Sequence, residues 1–405
     1  MKTLFSSRSS FFGSLFGSSL ALVLLCTLAA ALTLVDSPAA LATTWHVEKD
    51  GSGDFTVIQD ALNSCTSGDT VIVGPGRYTE HAPFDYGAIT ADTYVVVDTP
   101  NITLRGTDRD GVIVGPPVFT KINSNEPQGI ATSQQAGGLK VENLTVENVV
   151  DGIRFETAAD ATDCVIRDCE SGLVVITSTN HTFTRCEVYD CPKLSMGCYV
   201  QGNQIVLDQC HFEAYVPFPG AQSPGGVEIS AAHNVQVSDC SFLGDAFLKF
   251  QMSTDGTIQN NTFDSGLIEI LDSSANLVGN IMGRSPLDNV FFAGNILNAT
   301  KNVFGGGEDA TLFLSGNSVV MHDNHILNAG SLSVQINNYD SPNYTLDLTN
   351  NWWGTADSTQ IAAWIRDVHD DPKYNIEVKF VPFADQPLPA QSTSFGGLKA
   401  KFQTH

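Results

Sequence analysis

The chain has little positive charge: 20 Lys and Arg stand against 44 Asp and Glu in 405 residues, a formal net charge of -24. A surface of that sign repels phosphates, so no nucleic acid is expected as a partner. Charge of either sign is scarce, at 16% of residues against a usual value of about 25%, and with 35 glycines this excludes a coiled coil. The 42% apolar share excludes an intrinsically disordered chain. Cys-x-x-Cys pairs and zinc-type Cys/His spacings are missing, so no metal site is expected through sulfur. After residue 42 no apolar run is long enough to cross a bilayer as a helix.

The first 42 residues follow another pattern. Lys2 and Arg8 precede an apolar run from Leu20 to Val35, and Ala40-Leu41-Ala42 supplies the small-x-small pattern of a cleavage site. Residues 1–42 read as a signal peptide, since Asp36 and Pro38 interrupt what an uncleaved anchor would need, and a secreted, periplasmic or cell-surface location is expected. Its removal leaves 18 basic and 43 acidic residues, a charge of -25. Eight cysteines remain, which an exported chain could oxidise.

One motif recurs: apolar, two variable residues, Cys or Asn, one variable residue, apolar. It reads Phe183…Cys186…Val188, Leu207…Cys210…Phe212, Val237…Cys240…Phe242 and Ile258…Asn261…Phe263, then Leu277…Asn280…Met282, Phe292…Asn295…Leu297, Met321…Asn324…Ile326 and Leu348…Asn351…Trp353. Val141…Leu144…Val146 and Ile166…Cys169 are looser copies. From Leu144 to Asn351 there are nine steps over 207 residues, a mean of 23, although the 15-residue step from Asn280 to Asn295 is short for a coil. Period-2 alternation and abundant β-branched residues between these points predict an all-β solenoid: a single-stranded right-handed parallel β-helix over residues 43–384, followed by a flexible tail over 385–405. Stacked at about 4.8 Å, the Cys and Asn positions form internal ladders in which Asn bonds along the stack and Cys fills space as a small apolar residue. Stacked side chains point the same way, which suits disulfides poorly, but the pairing stays open.

Both ends carry caps. Asp54 is expected to cap a helix burying Phe55, Ile58, Ala61, Leu62 and Cys65, ended by Gly68 and followed by a strand over residues 70–73. Asp357 and Gln360 form a capping-box pair ahead of a stripe of Ile361, Trp364, Ile365 and Val368, with Pro372 as the stop and a last strand over residues 378–381.

Residues 46–55 (His-Val-Glu-Lys-Asp-Gly-Ser-Gly-Asp-Phe), 74–80 (Gly-Pro-Gly-Arg-Tyr-Thr-Glu) and 350–355 (Asn-Asn-Trp-Trp-Gly-Thr) resemble elements of the pectin lyase-like right-handed β-helix proteins of bacterial surfaces and periplasms. The first two resemble the opening of pectin methylesterases. The later segments that carry the esterase aspartates, the oxyanion glutamine and the Gly-Arg-Pro-Trp element are not found, nor is the Arg-x-Pro-x-x-Arg signature of pectate lyases. The resemblance therefore implies a fold, with the shared opening as a folding cap, and disfavours methylesterase activity.

A second repeat lies on the strands between turns: residues 153–156, 173–176, 198–201, 227–230, 248–251 and 268–270. Alternation puts Arg154, Tyr199, Glu228, Lys249 and Glu269 on one exterior face, with Gln201 and Gln251 beside them. Arg154, Tyr199, Gln201 and Gln251 are candidates to bind a substrate, and Glu228, Lys249 and Glu269 to act on it. The resemblance implies a polysaccharide or cell-surface glycan along such a face. The leading expectation is a glycan-binding or surface-associated scaffold, acting as a monomer; the alternative is a polysaccharide lyase or glycoside hydrolase. Calcium is the one cofactor the carboxylates suggest, since the acidic surface would need it to hold a polyuronate. His181, His211 and His233 read as solvated turn residues, and the same face admits a plainer reading as a charge ladder that steadies the stack.

Overall fold

The computed structural model describes residues 41–389, apart from 88–89, 120–126, 190, 192–197, 215–225, 245, 266, 317, 329, 331 and 337–343. The expected signal segment, except its last two residues, and the tail beyond Pro389 lie outside the described residues.

The alternating segments form strands that stack in parallel, and each coil runs through three faces. Face 1 is an 11-stranded sheet from Gly76–Tyr78 to His325–Ile326. Face 2 includes Gln128–Thr132, Asp151–Phe155, Phe247–Gln251 and Ile268–Leu271, and face 3 includes Leu139–Glu142, Ala159–Thr162 and Gly256–Gln259. Faces 2 and 3 merge into one 24-stranded sheet because Ser171–Thr184, Cys198–Asp208 and Gly226–Ser238 each carry one strand around their shared corner. The result is a parallel β-solenoid of about 12 turns, with an antiparallel pairing where Ala82–Asp85 meets Thr90–Val97.

The ladder stands at the corner where face 3 turns into face 1. Asn261, Asn280, Asn302, Asn324 and Asn351 are all 0% exposed. Each Asn backbone N–H donates to the carboxamide oxygen of the next: Asn261 to Asn280 at 3.0 Å, Asn280 to Asn302 and Asn302 to Asn324 at 2.9 Å, Asn324 to Asn351 at 2.8 Å. The carboxamide Nδ2 groups donate back to carbonyls of the coil before, such as Asn302 to Leu277 at 2.9 Å. Cys164, Cys186, Cys210 and Cys240 occupy the same column as buried free thiols, and Cys240 N–H donates to Asn261 Oδ1 where the two residue types meet. Two expected rungs are displaced. Asn295 is exposed and Asn302, 22 residues beyond Asn280, takes its place. Cys169 lies instead at the corner between faces 1 and 2, level with Cys191, and Cys164 holds the ladder position.

A backbone device makes this corner. The residue before every rung has positive φ, from Asn143 at 55° through Asp163, Arg185, Gln209, Asp239, Asn260, Gly279, Lys301 and Asp323 to Asn350 at 60°. A left-handed residue is costly outside glycine and least so for Asn and Asp. The buried bonds made by the following rung offset that cost. Inside the coils, aromatic rings stack from rung to rung, with Phe212–Phe242 and Phe242–Phe263 centroids 5.3 and 4.4 Å apart.

The caps form with altered details. Helix α1 is Ile58–Asn63 and buries Ile58, Ala61 and Leu62, but its N-cap is Val57 without a side-chain bond. Asp54 accepts the backbone N–H of His46 instead, tying the opening loop together. In that loop Tyr78 is buried, donates to Gly74 O at 2.9 Å and lies under Lys49, which pairs with Glu80 at 2.6 Å. Helix α2 is Ser358–Ala363, capped by the Asp357 carboxylate accepting from Thr359 and Gln360. It ends before the expected stripe does, because Ile365–Arg366 leaves the helix to pair with Leu332–Ile336 on face 2. The last strand, Ile376–Lys379, precedes the expected span by two residues.

Candidate functional site

Face 2 carries one continuous column of register partners, buried at Ala131 and Val174 and partly exposed from Glu228 onward. Register pairs Ala131 with Arg154, then Val174, Tyr199, Glu228, Lys249, Glu269, Phe291, Phe313, Gln335 and Arg366 in successive coils. Three of the residues singled out from sequence meet at its centre. Lys249 Nζ lies 3.9 Å from Glu228 Oε2 and 3.9 Å from Glu269 Oε2, with the three side chains 17–28% exposed. These gaps are too long for direct hydrogen bonds, and a water or a hydroxyl can bridge them without either partner moving. Burial, with the like charge of Glu228 added, holds the Glu269 carboxyl above its ordinary range despite the pull of Lys249.

The other candidates are placed differently. Arg154 is engaged: its guanidinium lies 3.0 Å from Asp151 and 2.8 Å from Glu156, beneath the Tyr86 ring at 5.1 Å from the centroid. Gln251 stands in the adjacent column, in register with Ser230, which is in turn level with Gln201. Tyr199 and Gln201 hold the expected register positions, and their side chains lie outside the described part. Sequence reasoning missed the continuation of the column. Phe291 and Phe313 stack with centroids 4.7 Å apart and planes 9° apart, an apolar strip directly beyond Glu269. The signal was present in Val290-Phe291-Phe292 and Leu312-Phe313-Leu314, which continue the alternation.

The histidines divide. His181 is fully buried beside the stacked Phe155 and Phe183 rings, with Nδ1 3.1 Å from Ala159 O, and burial depresses its pKa. It is therefore a core residue and not a solvated one: Asn180, at φ 64°, makes the bend, and the strand then turns His181 inward. His233 is exposed, and His211 lies half-buried on a face 1 strand. Among the described residues no group of three or more His, Cys, Asp or Glu could hold a metal ion.

Residues 128–286 match the family model described as the right handed beta helix region. The fold is that of a right-handed parallel β-helix. No curated protein sequence matches it. Among solved structures this β-helix is similar to the PL6 family alginate lyase AlyGC, with a TM-score of 0.50 at 12% identity over 87% of this chain and 54% of that one. It is also similar to DFA-IIIase from Arthrobacter chlorophenolicus A6 without its lid, with a TM-score of 0.50 at 11% identity over 84% and 99%. A rhamnogalacturonan lyase aligns with a TM-score of 0.46 at 13% identity over 76% and 87%. At these identities the likeness carries the fold, and the chemistry must be argued from the column.

Proposed function

We propose that the protein is an exported glycan-binding β-helix, a monomer that holds a sugar chain along the exterior of face 2. The observation that carries this reading is the run Glu228, Lys249, Glu269, Phe291, Phe313 in adjacent coils. Sugars are amphipathic. Their hydroxyls suit the loosely paired Glu-Lys-Glu cluster, and their C–H edges suit the apolar strip beside it. The deficit of positive charge favours a neutral glycan over a polyuronate unless calcium bridges the two. The name of one similar structure, an alginate lyase, agrees with a carbohydrate ligand. Residues 1–42 would be the export signal, and amino-terminal sequencing of the exported protein should begin after Ala42.

Hydrolysis is the second reading, favoured by the raised Glu269 carboxyl opposite Glu228. With both oxygens 3.9 Å from Lys249 Nζ, their separation can fall within the roughly 5–9.5 Å of glycosidase carboxylate pairs. Against it, the ammonium occupies the space between them. The test is one panel of neutral and acidic polysaccharides, assayed for retention and for release of reducing ends or unsaturated uronates. Retention without release, weakened at least tenfold by Lys249→Ala, supports binding. Release abolished by Glu228→Ala or Lys249→Ala replaces it with the enzymatic reading, and neither retention nor release removes both.

A further inference from the structure

Face 1, on another side of the coil, holds a polar group of a different kind. His211 and Ser241 are register partners in adjacent coils, and Ser241 Oγ lies 2.7 Å from His211 Nδ1. Glu213, two residues along the same strand and so on the same side, places Oε2 3.9 Å from His211 Nε2. The hydroxyl and the carboxylate thus address opposite nitrogens of one imidazole. Among the described residues His322 also meets a hydroxyl and a carboxylate, but there Thr349 and Asp347 both approach Nε2, at 3.2 and 3.1 Å. The next carboxylate in the column, Glu187, is taken by Arg109 at 2.8 Å and does not compete for the ring. His211 and Glu213 side chains are 23% and 39% exposed, so a solute can reach them.

We propose that Ser241, His211 and Glu213 form a nucleophile, general base and orienting carboxylate that cleave small acyl esters. With the ring proton on Nε2, facing Glu213, Nδ1 accepts the Ser241 proton as Oγ bonds to the acyl carbon and the carbonyl electron pair moves onto oxygen. Thr262, the register partner of Ser241 on the next coil, would donate to that oxyanion. The pair returns as the carbon–oxygen bond to the alcohol breaks, and His211 gives the alcohol its proton. Water then repeats the sequence on the acyl-serine, releasing the acid and restoring Ser241. None of this depends on glycan binding by face 2.

The experiment treats the full-length protein with a fluorophosphonate and maps the adduct by mass spectrometry, alongside hydrolysis of p-nitrophenyl acetate. The expected results are label on Ser241 and a rate that falls on the order of a hundredfold in Ser241→Ala and in His211→Asn, but is unchanged in Ser318→Ala, a change on exposed face 3. Glu213→Gln should move the acid limb of the rate profile to lower pH, because the imidazolium loses its carboxylate. Absence of label on Ser241 in the unmodified protein overturns the proposal, as does an undiminished rate in Ser241→Ala. An unmoved limb in Glu213→Gln removes Glu213 from the relay.

Discussion

Replacing Asn302 by Ala tests the ladder at its centre. Its Oδ1 accepts both the backbone N–H and the Nδ2 of Asn280 at 2.9 Å, and its own Nδ2 donates to Leu277 O, Thr300 O and Asn324 Oδ1 at 2.9–3.1 Å. Without the side chain the buried Asn280 N–H loses that acceptor, a loss of about 1–3 kcal/mol, and the bonds to carbonyls forfeit about 0.5–1.5 kcal/mol each. The expected destabilisation is about 2–5 kcal/mol, read from the denaturant midpoint of the full chain by near-ultraviolet circular dichroism. Asn302→Cys should cost less, because Cys240 in the same column accepts the Cys210 N–H through sulfur at 3.4 Å and donates its thiol to Leu207 O at 3.5 Å. Asn295→Ala, on the exposed residue that matches the motif equally well, should stay within about 0.5 kcal/mol of the unmodified protein. The reasoning is refuted if Asn302→Ala is neutral or if Asn295→Ala costs as much.

Other perturbations address the surface. Arg154→Ala should lower stability by about 2 kcal/mol or more, since it strands Asp151 and Glu156 beside Tyr86; an unmoved denaturant midpoint would free Arg154 for a binding role. Asp288 has its carboxyl raised to about 6, first by burial and then by Asp309, although the Ala310 N–H pulls the other way. A carboxyl raised on folding favours the folded state below its unfolded pKa and loses that contribution as pH climbs through about 4 to 6. Asp288→Asn should flatten the decline across that window, and a midpoint that falls equally in both proteins contradicts the assignment. Phe313→Ser, which breaks the exterior stack with Phe291, should weaken glycan retention more than stability; the reverse ranking would make the strip structural only.

The coil pattern was legible because an inward Cys or Asn must recur wherever the chain turns the same corner. The register slip at Asn295 was not, since both Phe292…Asn295…Leu297 and Ala299…Asn302…Phe304 obey the motif and the small Ala299 makes the true rung less conspicuous. His181 was misread because its neighbour Asn180 carries the turn signal, while the inward direction depends on how the strand restarts after the bend. Alternation sufficed to gather Glu228, Lys249 and Glu269, because parallel register preserves side. It could not reveal that Arg154 is spent on local carboxylates, since Tyr86 arrives from another part of the chain. The Ser241–His211 contact was equally hidden: the two residues are 30 positions apart and match only through the register of face 1.

That last contact clarifies how such a frame can acquire chemistry. The coil between Cys210 and Cys240 is the longest rung-to-rung step, 30 residues against 19 between Asn261 and Asn280. Yet both ends of the long coil re-enter the ladder at a left-handed residue, Gln209 and Asp239. His211 and Ser241, each the first residue after its rung, therefore meet whatever the length between them. The buried rung restores phase after a long step, and the exterior residues beside it stay aligned. Outward positions on faces 1 and 2 can then vary without disturbing the core, because no buried bond of the ladder uses them. A charged cluster on one face and a serine-histidine pair on another can accordingly arise independently on the same stack, which is why changes at Ser241 should leave glycan retention by face 2 intact and changes at Lys249 should leave ester cleavage intact.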